Sequence, residues 1–138
     1  MEKQVLVPQV GTFKLRVRKS LTGKGLFTEE KIPKGRFIIE YIGKDVPPAM
    51  QFTQSKYLFE ITKKKMINGN ITENTARYIN HSCKPNCEAD IIKGHVRISS
   101  IRNIHAGEEL FYDYGEEYFN EHIKPKGCRC EKCSKVYL

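Results

Sequence analysis

The run Arg77-Tyr-Ile-Asn-His-Ser-Cys-Lys-Pro-Asn-Cys87 holds the densest group of polar, sulfur-bearing and titratable side chains in this sequence. Taken alone, it has a structural explanation, because residues 80–82 could satisfy one another and nearby backbone groups, as most buried polar groups do. Two other stretches are similarly dense, namely Gly23-Lys-Gly25 and Gly107-Glu-Glu-Leu-Phe-Tyr-Asp-Tyr-Gly115. A lone Gly-Lys-Gly favours a tight turn over a ligand contact. No single stretch identifies a site, so the three have to be interpreted together.

Five cysteines are present, and the last three lie within six residues of one another. Their odd number and the lack of a signal-peptide pattern disfavour disulfides. The cluster Cys128-Arg-Cys-Glu-Lys-Cys133 instead indicates three thiolate ligands for zinc, which takes four ligands in a tetrahedron. From spacing alone the distant fourth ligand stays open between Cys83, Cys87, His81 and His122.

The composition is that of a folded, basic protein of 138 residues. Its hydrophobic content of 39% is too high for a disordered polyelectrolyte. No run approaches the ~20 apolar residues of a membrane-spanning helix. The formal charge of +8 is uneven, because segment 107–123 carries six carboxylates and no Lys or Arg. We expect a soluble protein without membrane contacts, whose basic surface favours polyanions.

The apolar pattern predicts a mainly β chain. In Phe13-Lys-Leu-Arg-Val-Arg18 apolar and basic residues alternate, as in a half-buried strand, and residues 22–25 then break this strand. Further strands are predicted at 36–42, 57–61, 88–92 and 95–101, with a hairpin turn at Lys93-Gly94. Turns are predicted at 32–35 and 103–107, an irregular connection at 43–56 and a short helix at 115–123. Because no segment keeps a helical apolar period for three turns, we expect short strands closing on one core.

Together these stretches resemble the SET-domain family of protein-lysine methyltransferases, over about residues 12–138. The resemblance rests on five motifs in family order: Gly23-Lys-Gly25, Glu40-Tyr-Ile-Gly43, Arg77 to Cys87 as the family's R-F/Y-I-N-H-S-C-x-P-N run, Glu109-Leu-Phe-Tyr-Asp-Tyr114 as its E-L-x-x-D-Y motif, and the C-terminal cysteines as its post-SET zinc motif. The middle motifs look most like the trithorax-type branch. The final Cys-x-Cys-x-x-Cys spacing is shorter than the C-x-C-x4-C of that branch, which weakens the subfamily assignment and leaves the zinc prediction standing.

The resemblance implies a SET-domain fold, which is mainly β, with several small sheets of short strands, short helices and a C-terminal zinc-binding post-SET segment. It divides the chain into an N-terminal extension (1–11), the SET domain (12–117) and the post-SET segment (118–138). It also implies a structural zinc, whose ligands would be Cys83, Cys128, Cys130 and Cys133. Cys87 then becomes a core or surface thiol.

S-adenosylmethionine is the methyl donor that the resemblance implies. It would lie against the backbone of residues 22–26, and Arg129 would cover it from the post-SET end. The implied cofactor-binding residues are Thr22, Gly23, Lys24, Gly25, Leu26, Tyr57, Arg77, Asn80, His81 and Arg129.

Three tyrosines are the implied catalytic residues. Tyr114 matches the family's catalytic tyrosine, Tyr41 a channel-lining tyrosine, and Tyr112 a position where family members carry Phe or Tyr. Lysine attacks only as the neutral amine, although its reference pKa is about 10.4, so an apolar channel beside a sulfonium charge suits the reaction by lowering that pKa. Tyrosine rings exclude water and tolerate a cation, while their hydroxyls orient the amine. Because the Tyr112 hydroxyl occupies room that further methyl groups need, we expect mono- or dimethylation.

The expected activity is histone-lysine N-methylation, on a histone tail peptide or a nucleosome, by a monomer or homodimer in the nucleus or on chromatin. The small size also fits a viral or bacterial protein acting in a host nucleus. The acidic segment 107–123 surrounds Tyr112 and Tyr114, where a basic tail would dock, while the basic flanks leave non-specific DNA contact open. Three alternatives remain: a zinc-stabilised nucleic-acid or chromatin-binding module without transferase activity, a SET fold that has lost transferase activity, and a methyltransferase of a non-histone protein.

Overall fold

Short strands dominate the architecture. A computed structural model describes residues 10–21, 23–47, 57–62 and 64–114. A 3-10 helix spans Thr75–Tyr78. The described strands are β1 (Leu15–Ser20), β2 (Gly23–Thr28), β3 (Phe37–Tyr41), β4 (Lys44–Asp45), β5 (Leu58–Thr62), β6 (Lys65–Asn68), β7 (Asn80–His81), β8 (Cys87–Ile92), β9 (His95–Ser100) and β10 (Phe111–Tyr112). The predicted class, mainly β with several small sheets, is confirmed.

The described strands form four small sheets, with the orders β1-β2, β3-β9-β8, β4-β6-β5 and β10-β7. Strands β10 and β7 run parallel, whereas the pairs in the other three sheets are antiparallel. A parallel pair cannot be closed by a tight turn and needs a long crossover. The β8–β9 hairpin lies within that crossover, so β10 reaches β7 only after the chain has built the central sheet.

Strands β1 and β2 pair along their full lengths, from Leu15 opposite Thr28 to Ser20 opposite Gly23. The alternating pattern at 13–18 therefore predicted a real strand, displaced by two residues. The turn favoured for Gly23-Lys-Gly25 is wrong, because these residues form the first half of β2. Segment 107–110 lies along the other edge of β2, where the Leu110 amide donates to the Leu26 carbonyl at 2.8 Å. Pairing with β1 holds the glycine-rich half of β2 extended despite its weak strand propensity, while segment 107–110 pairs with the second half of β2, from Leu26 to Thr28.

The central sheet carries the hairpin that the sequence predicted. Strands β8 and β9 pair from Cys87 opposite Ser100 to Ile92 opposite His95. The two-residue connection has positive φ at both positions, 51° at Lys93 and 81° at Gly94. Two left-handed residues give the connection the twist that an antiparallel hairpin requires.

Isoleucine-rich segments of β3, β9 and their neighbours form the hydrophobic core. The most deeply buried apolar side chains are Leu26, Ile32, Ile38, Ile39, Ile79, Val96, Ile98, Ile104 and Leu110. Removing such a side chain from water contributes about 1.5–3 kcal/mol, so this cluster is the main source of stability. Tyr41 and Tyr112 belong to the same buried cluster. Two of the three predicted catalytic tyrosines are therefore held by the core itself.

Three short strands occur where the sequence predicted none, and several other predictions concern residues outside those described. Strand β4 occupies part of the connection predicted as irregular at 43–56, and β6 and β7 were not predicted. The predicted helix at 115–123, the post-SET segment 118–138 and most of the extension 1–11 lie outside the described residues. Within the described ranges, no helix has both the length and the apolar character needed to cross a bilayer.

Candidate active site

Two distant sequence motifs meet at the parallel pair of β7 and β10. Asn80 lies opposite Phe111, and His81 lies opposite Tyr112. The Ser82 amide donates to the Tyr112 carbonyl at 3.3 Å, which extends the contact beyond the two-residue strands. Strands this short have no periodicity of their own, so only the pairing makes the two motifs neighbours.

The tyrosines of the second motif form an aromatic pair beside His81. The ring centroids of Tyr112 and Tyr114 lie 4.8 Å apart, and those of His81 and Tyr114 lie 5.3 Å apart. The Tyr114 hydroxyl donates to the Ile79 carbonyl, one residue before Asn80. Tyr112 is buried and Tyr114 is half-buried. The hydroxyl of Tyr114 is thus held against the backbone that leads into β7, next to two further aromatic rings.

The hydrogen bonds of His81 define its tautomer. The Tyr114 amide donates to Nδ1 at 3.1 Å, so this nitrogen accepts and the proton of the neutral ring lies on Nε2. Nε2 faces the sulfur of Cys83 at 3.4 Å. Burial lowers the pKa of His81 below its ordinary value, and the Asp113 carboxylate offsets part of that shift. A neutral histidine therefore ties Tyr114 to the position predicted to hold zinc.

Asn80 connects β7 to the glycine-rich half of β2. Its side-chain Nδ2 donates to the Lys24 carbonyl at 3.0 Å and to Glu109 Oε2 at 2.8 Å. An amide nitrogen has two protons, so both are used within the protein. Among the described residues no donor bonds to Asn80 Oδ1, so this atom is the group left for a ligand. Of the predicted cofactor-binding stretch, Gly23 and Lys24 are exposed, whereas Gly25 and Leu26 are buried.

Arg77 stands at the wall of a polar cavity. Its guanidinium donates to Asn70 Oδ1 at 3.1 Å and to the Tyr78 hydroxyl at 2.6 Å, and it lies 4.7 Å from the centre of the Tyr78 ring. Its Nε is buried without a hydrogen-bond partner among the described residues. The cavity measures about 440 Å³, and its lining residues are Lys44, Asn70, Ile71, Thr72, Glu73 and Arg77. An unsatisfied buried donor is costly, so Arg77 Nε requires an explanation beyond the described contacts.

The predicted residues Tyr41 and Tyr57 contact each other. The Tyr41 hydroxyl donates to the Tyr57 carbonyl at 2.9 Å, and its ring lies 5.3 Å from that of Phe59. This bond ties β3 to the small β4-β6-β5 sheet. Tyr41 is buried, with 4% of its surface exposed, so it contributes to core packing in addition to its predicted role in lining a channel.

Two buried asparagines position the site, and sequence reasoning did not single them out. Asn86 Nδ2 donates to the Glu109 carbonyl at 2.8 Å, and its Oδ1 accepts from the Phe111 amide at 2.8 Å. Asn74 bridges the Ile42 amide at 3.1 Å and the Gly69 carbonyl at 3.0 Å. Asn86 stood inside the quoted motif, which was a usable signal, whereas nothing in the sequence distinguishes Asn74 from a surface asparagine.

The predicted metal site is described only in part. Cys83 is half-buried, and its three predicted partners Cys128, Cys130 and Cys133 lie outside the described residues, as do Thr22 and Arg129 of the predicted cofactor site. Among the residues that are described, no group of three or more metal-binding side chains occurs. Cys87 was predicted to be a core or a surface thiol; it is buried in the core, and burial raises its pKa to about 12.

The chain is similar in sequence to a known domain family and to several known proteins. Residues 23–115 match the SET domain. The chain is 31% identical over 146 residues to histone-lysine N-methyltransferase trithorax of Drosophila virilis, a match that covers 96% of this chain and 4% of the relative. Human histone-lysine N-methyltransferase 2D is 33% identical over 132 residues, covering 86% of this chain and 2% of the relative.

A fungal relative matches more closely over a shorter region. A Chaetomium globosum protein named histone-lysine N-methyltransferase, H3 lysine-4 specific, is 38% identical over 111 residues, covering 70% of this chain and 10% of the relative. The chain therefore spans a small part of the length of each of these relatives.

Proposed function

The chain belongs to the SET-domain family, and on that premise we propose that it is an S-adenosylmethionine-dependent protein-lysine N-methyltransferase that acts on a histone tail. One observation carries the proposal. The parallel pairing of β7 and β10 joins the predicted cofactor residues Asn80 and His81 to the predicted catalytic pair Tyr112 and Tyr114. A methyl donor and a lysine acceptor have to meet at one point, and this is where the two predicted sets of residues meet.

The described residues fit the proposed cofactor. Arg77 lines a cavity of about 440 Å³, and its buried Nε has no acceptor among the described residues. Asn80 uses both amide protons internally, which leaves its Oδ1 to accept from a cationic group. A zwitterionic ligand with an ammonium and a carboxylate suits this combination of donor and acceptor. Thr22 and Arg129 remain cofactor-binding residues on the resemblance alone.

The chemistry asks little of the protein beyond alignment and desolvation. When bound, S-adenosylmethionine supplies a methyl group that a sulfonium already activates. The Tyr112 and Tyr114 rings exclude water from the attacking amine, and their π faces tolerate its cationic form before the proton is lost. The Tyr114 hydroxyl, held by the Ile79 carbonyl, presents its oxygen lone pair to an amine or a methyl group. We assign Tyr114 the main catalytic role, with Tyr112 and Tyr41 lining the lysine channel.

Tyr112 is the residue that we propose limits the number of methyl groups added. It is 7% exposed and packs against Tyr114 with ring centroids 4.8 Å apart, so its hydroxyl occupies space in a crowded site. Replacing Tyr112 with Phe removes that oxygen and makes room for a second or third methyl group. Mass spectrometry of the peptide product should then show higher methylation states for Tyr112→Phe than for the wild type. An unchanged product distribution would remove Tyr112 from this role.

A histone tail is the substrate class we propose. The names of the relatives specify histone lysine, and one of them specifies H3 lysine 4. Carboxylates of Glu108, Glu109 and Asp113 lie in the strand region that leads to the tyrosine pair, which favours a Lys- and Arg-rich peptide. This substrate places the enzyme on chromatin in a nucleus. We also retain the proposed division into extension, SET domain and zinc-binding post-SET segment, with zinc in a structural role.

Label transfer tests the proposal directly. The wild-type chain should bind radiolabelled S-adenosylmethionine and transfer the label to a histone mixture. Tyr114→Phe should nearly abolish transfer while cofactor binding stays measurable. Histone variants that each lack one lysine, beginning with lysine 4 of H3, would then identify the target. Cofactor binding without transfer to any protein would reject the transferase, and DNA binding without cofactor binding would favour the nucleic-acid module. Full turnover by Tyr114→Phe would remove Tyr114 from catalysis.

A further inference from the structure

Glu109 connects three parts of the chain through the two oxygens of its carboxylate. Oε1 accepts from the Ser20 hydroxyl at 2.7 Å, and Oε2 accepts from Asn80 Nδ2 at 2.8 Å. Ser20 ends β1 and Asn80 begins β7. The backbone of Glu109 bridges to Phe27 in β2. One half-buried side chain therefore links β1 and β7 across the glycine-rich segment of β2.

Gly25 is the residue that this carboxylate faces. A Cβ atom built on Gly25 would lie 2.4 Å from Glu109 Oε2, 2.8 Å from its Cδ and 3.0 Å from the Ser20 Cβ. Distances this short exclude a side chain unless the carboxylate moves. The space that a side chain at Gly25 would fill is already occupied by Glu109.

Gly23 has a different reason for being glycine. A Cβ atom there would meet nothing within 4 Å, but its φ of 115° is a conformation that residues with side chains rarely adopt. The two glycines of Gly23-Lys-Gly25 therefore serve separate purposes, one conformational and one steric. A close approach of the backbone to a ligand is therefore not needed to explain the glycine at position 25.

We propose that Glu109 is a positioning residue, which fills the space left by Gly25 and fixes Asn80 and the Lys24 carbonyl for the cofactor. The inference rests on the proposed cofactor site. Asn80 Nδ2 donates to both Glu109 and the Lys24 carbonyl. The carboxylate therefore fixes the orientation of the Asn80 side-chain amide and, with it, the direction in which Oδ1 points. Without Glu109, that amide can rotate and the Lys24 carbonyl loses a fixed partner.

A double-mutant cycle tests the steric half of this proposal without any cofactor. The variants are Gly25→Ala, Glu109→Ala and the double variant of the full chain, unfolded in urea and followed by circular dichroism. Gly25→Ala should lower the folding equilibrium constant about 10-fold more in the wild type than beside Glu109→Ala, because the two shortest contacts are with the carboxylate and the 3.0 Å contact with the Ser20 Cβ is the same in both backgrounds. If Gly25→Ala alone does not fold, a folded double variant supports the proposal.

Gly23→Ala is the matched control. Its strain comes from its own backbone, so it should lower the folding equilibrium constant by the same factor in both backgrounds. Equal effects of Gly25→Ala in the presence and absence of Glu109 would overturn the proposal. So would a double variant that remains unfolded like Gly25→Ala.

Cofactor binding tests the positioning half. Glu109→Ala should raise the dissociation constant for radiolabelled S-adenosylmethionine about 10-fold, the upper value expected for loss of one hydrogen bond. Glu109→Gln keeps an acceptor for Asn80 and can donate to Ser20, so it should restore most of the affinity. In the transferase assay, the KM for the cofactor should rise while kcat at saturating cofactor stays close to the wild-type value.

Two results would refute the positioning role. The first is a Glu109→Gln variant that binds S-adenosylmethionine as weakly as Glu109→Ala does, and the second is a Glu109→Ala variant whose kcat falls while its KM for the cofactor is unchanged. A wild-type chain that binds no S-adenosylmethionine would instead reject the proposed function and, with it, the positioning role. The folding cycle would still decide whether Glu109 is the reason that position 25 is glycine. The two failures are therefore distinguishable.

Discussion

Replacing Asn86 with Ala should destabilise the protein more than its small change in volume suggests. Asn86 is 2% exposed, and its amide satisfies two backbone groups, the Glu109 carbonyl and the Phe111 amide, each at 2.8 Å. Alanine leaves both groups buried without these partners. An unsatisfied buried group costs about 1–3 kcal/mol, so the two together cost about 2–6 kcal/mol. This is a large fraction of the roughly 5–15 kcal/mol that keeps a typical domain folded.

Urea unfolding measures the effect, with Asn103→Ala as a matched control. Asn103 is exposed and accepts one bond from the Lys34 amide at 2.9 Å, which water can replace. Its replacement should change the free energy of unfolding by no more than about 0.5 kcal/mol. If Asn86→Ala lies within ~1 kcal/mol of that control, the reasoning from unsatisfied backbone groups is refuted.

The same variant should also affect the site. The Phe111 amide that Asn86 holds belongs to β10, whose pairing with β7 brings Tyr112 opposite His81. We therefore expect Asn86→Ala to lose the proposed transferase activity even at temperatures where circular dichroism shows it folded. Normal activity in a fully folded Asn86→Ala variant would mean that the aromatic pair does not depend on this bond.

Three further predictions concern the core and its edges. Ile98→Ala should cost about 2–5 kcal/mol in urea unfolding, because Ile98 is fully buried, whereas Ile91→Ala, at a site 43% exposed, should cost less than about 1 kcal/mol; similar losses would contradict the burial argument. Tyr41→Phe should cost about 1 kcal/mol through the lost bond to the Tyr57 carbonyl, and an unchanged urea midpoint would show that this bond contributes nothing. Burial raises the pKa of Cys87 from 9.0 to about 12, so between these values the unfolded chain binds fewer protons than the folded one. Stability should therefore fall with rising pH by up to about 1.4 kcal/mol per unit in the wild type, and this contribution should be missing from Cys87→Ala. The same pH dependence of the unfolding free energy in both proteins would contradict this prediction.

Local pattern was sufficient for the elements whose partners lie close in sequence. The alternation around Leu15 and Val17 indicated β1, and Lys93-Gly94 indicated the β8–β9 hairpin, because strand period and turn chemistry act over a few residues. The residues of the motifs and their order were also sufficient to indicate the SET-domain family, because both can be read from the sequence without knowledge of the fold.

Long-range contacts determined the site itself. Strands β7 and β10 contain two residues each, too few for any period, and they exist because Asn80 and Phe111, which are far apart in sequence, pair in the folded chain. Gly23-Lys-Gly25 looked like a turn locally, yet pairing with β1 makes it part of a strand. The Ser20 and Glu109 side chains bond across 89 residues of sequence. No local propensity encodes such a contact, because it is stable only when the packing of the intervening chain offsets the entropy lost in bringing the two residues together.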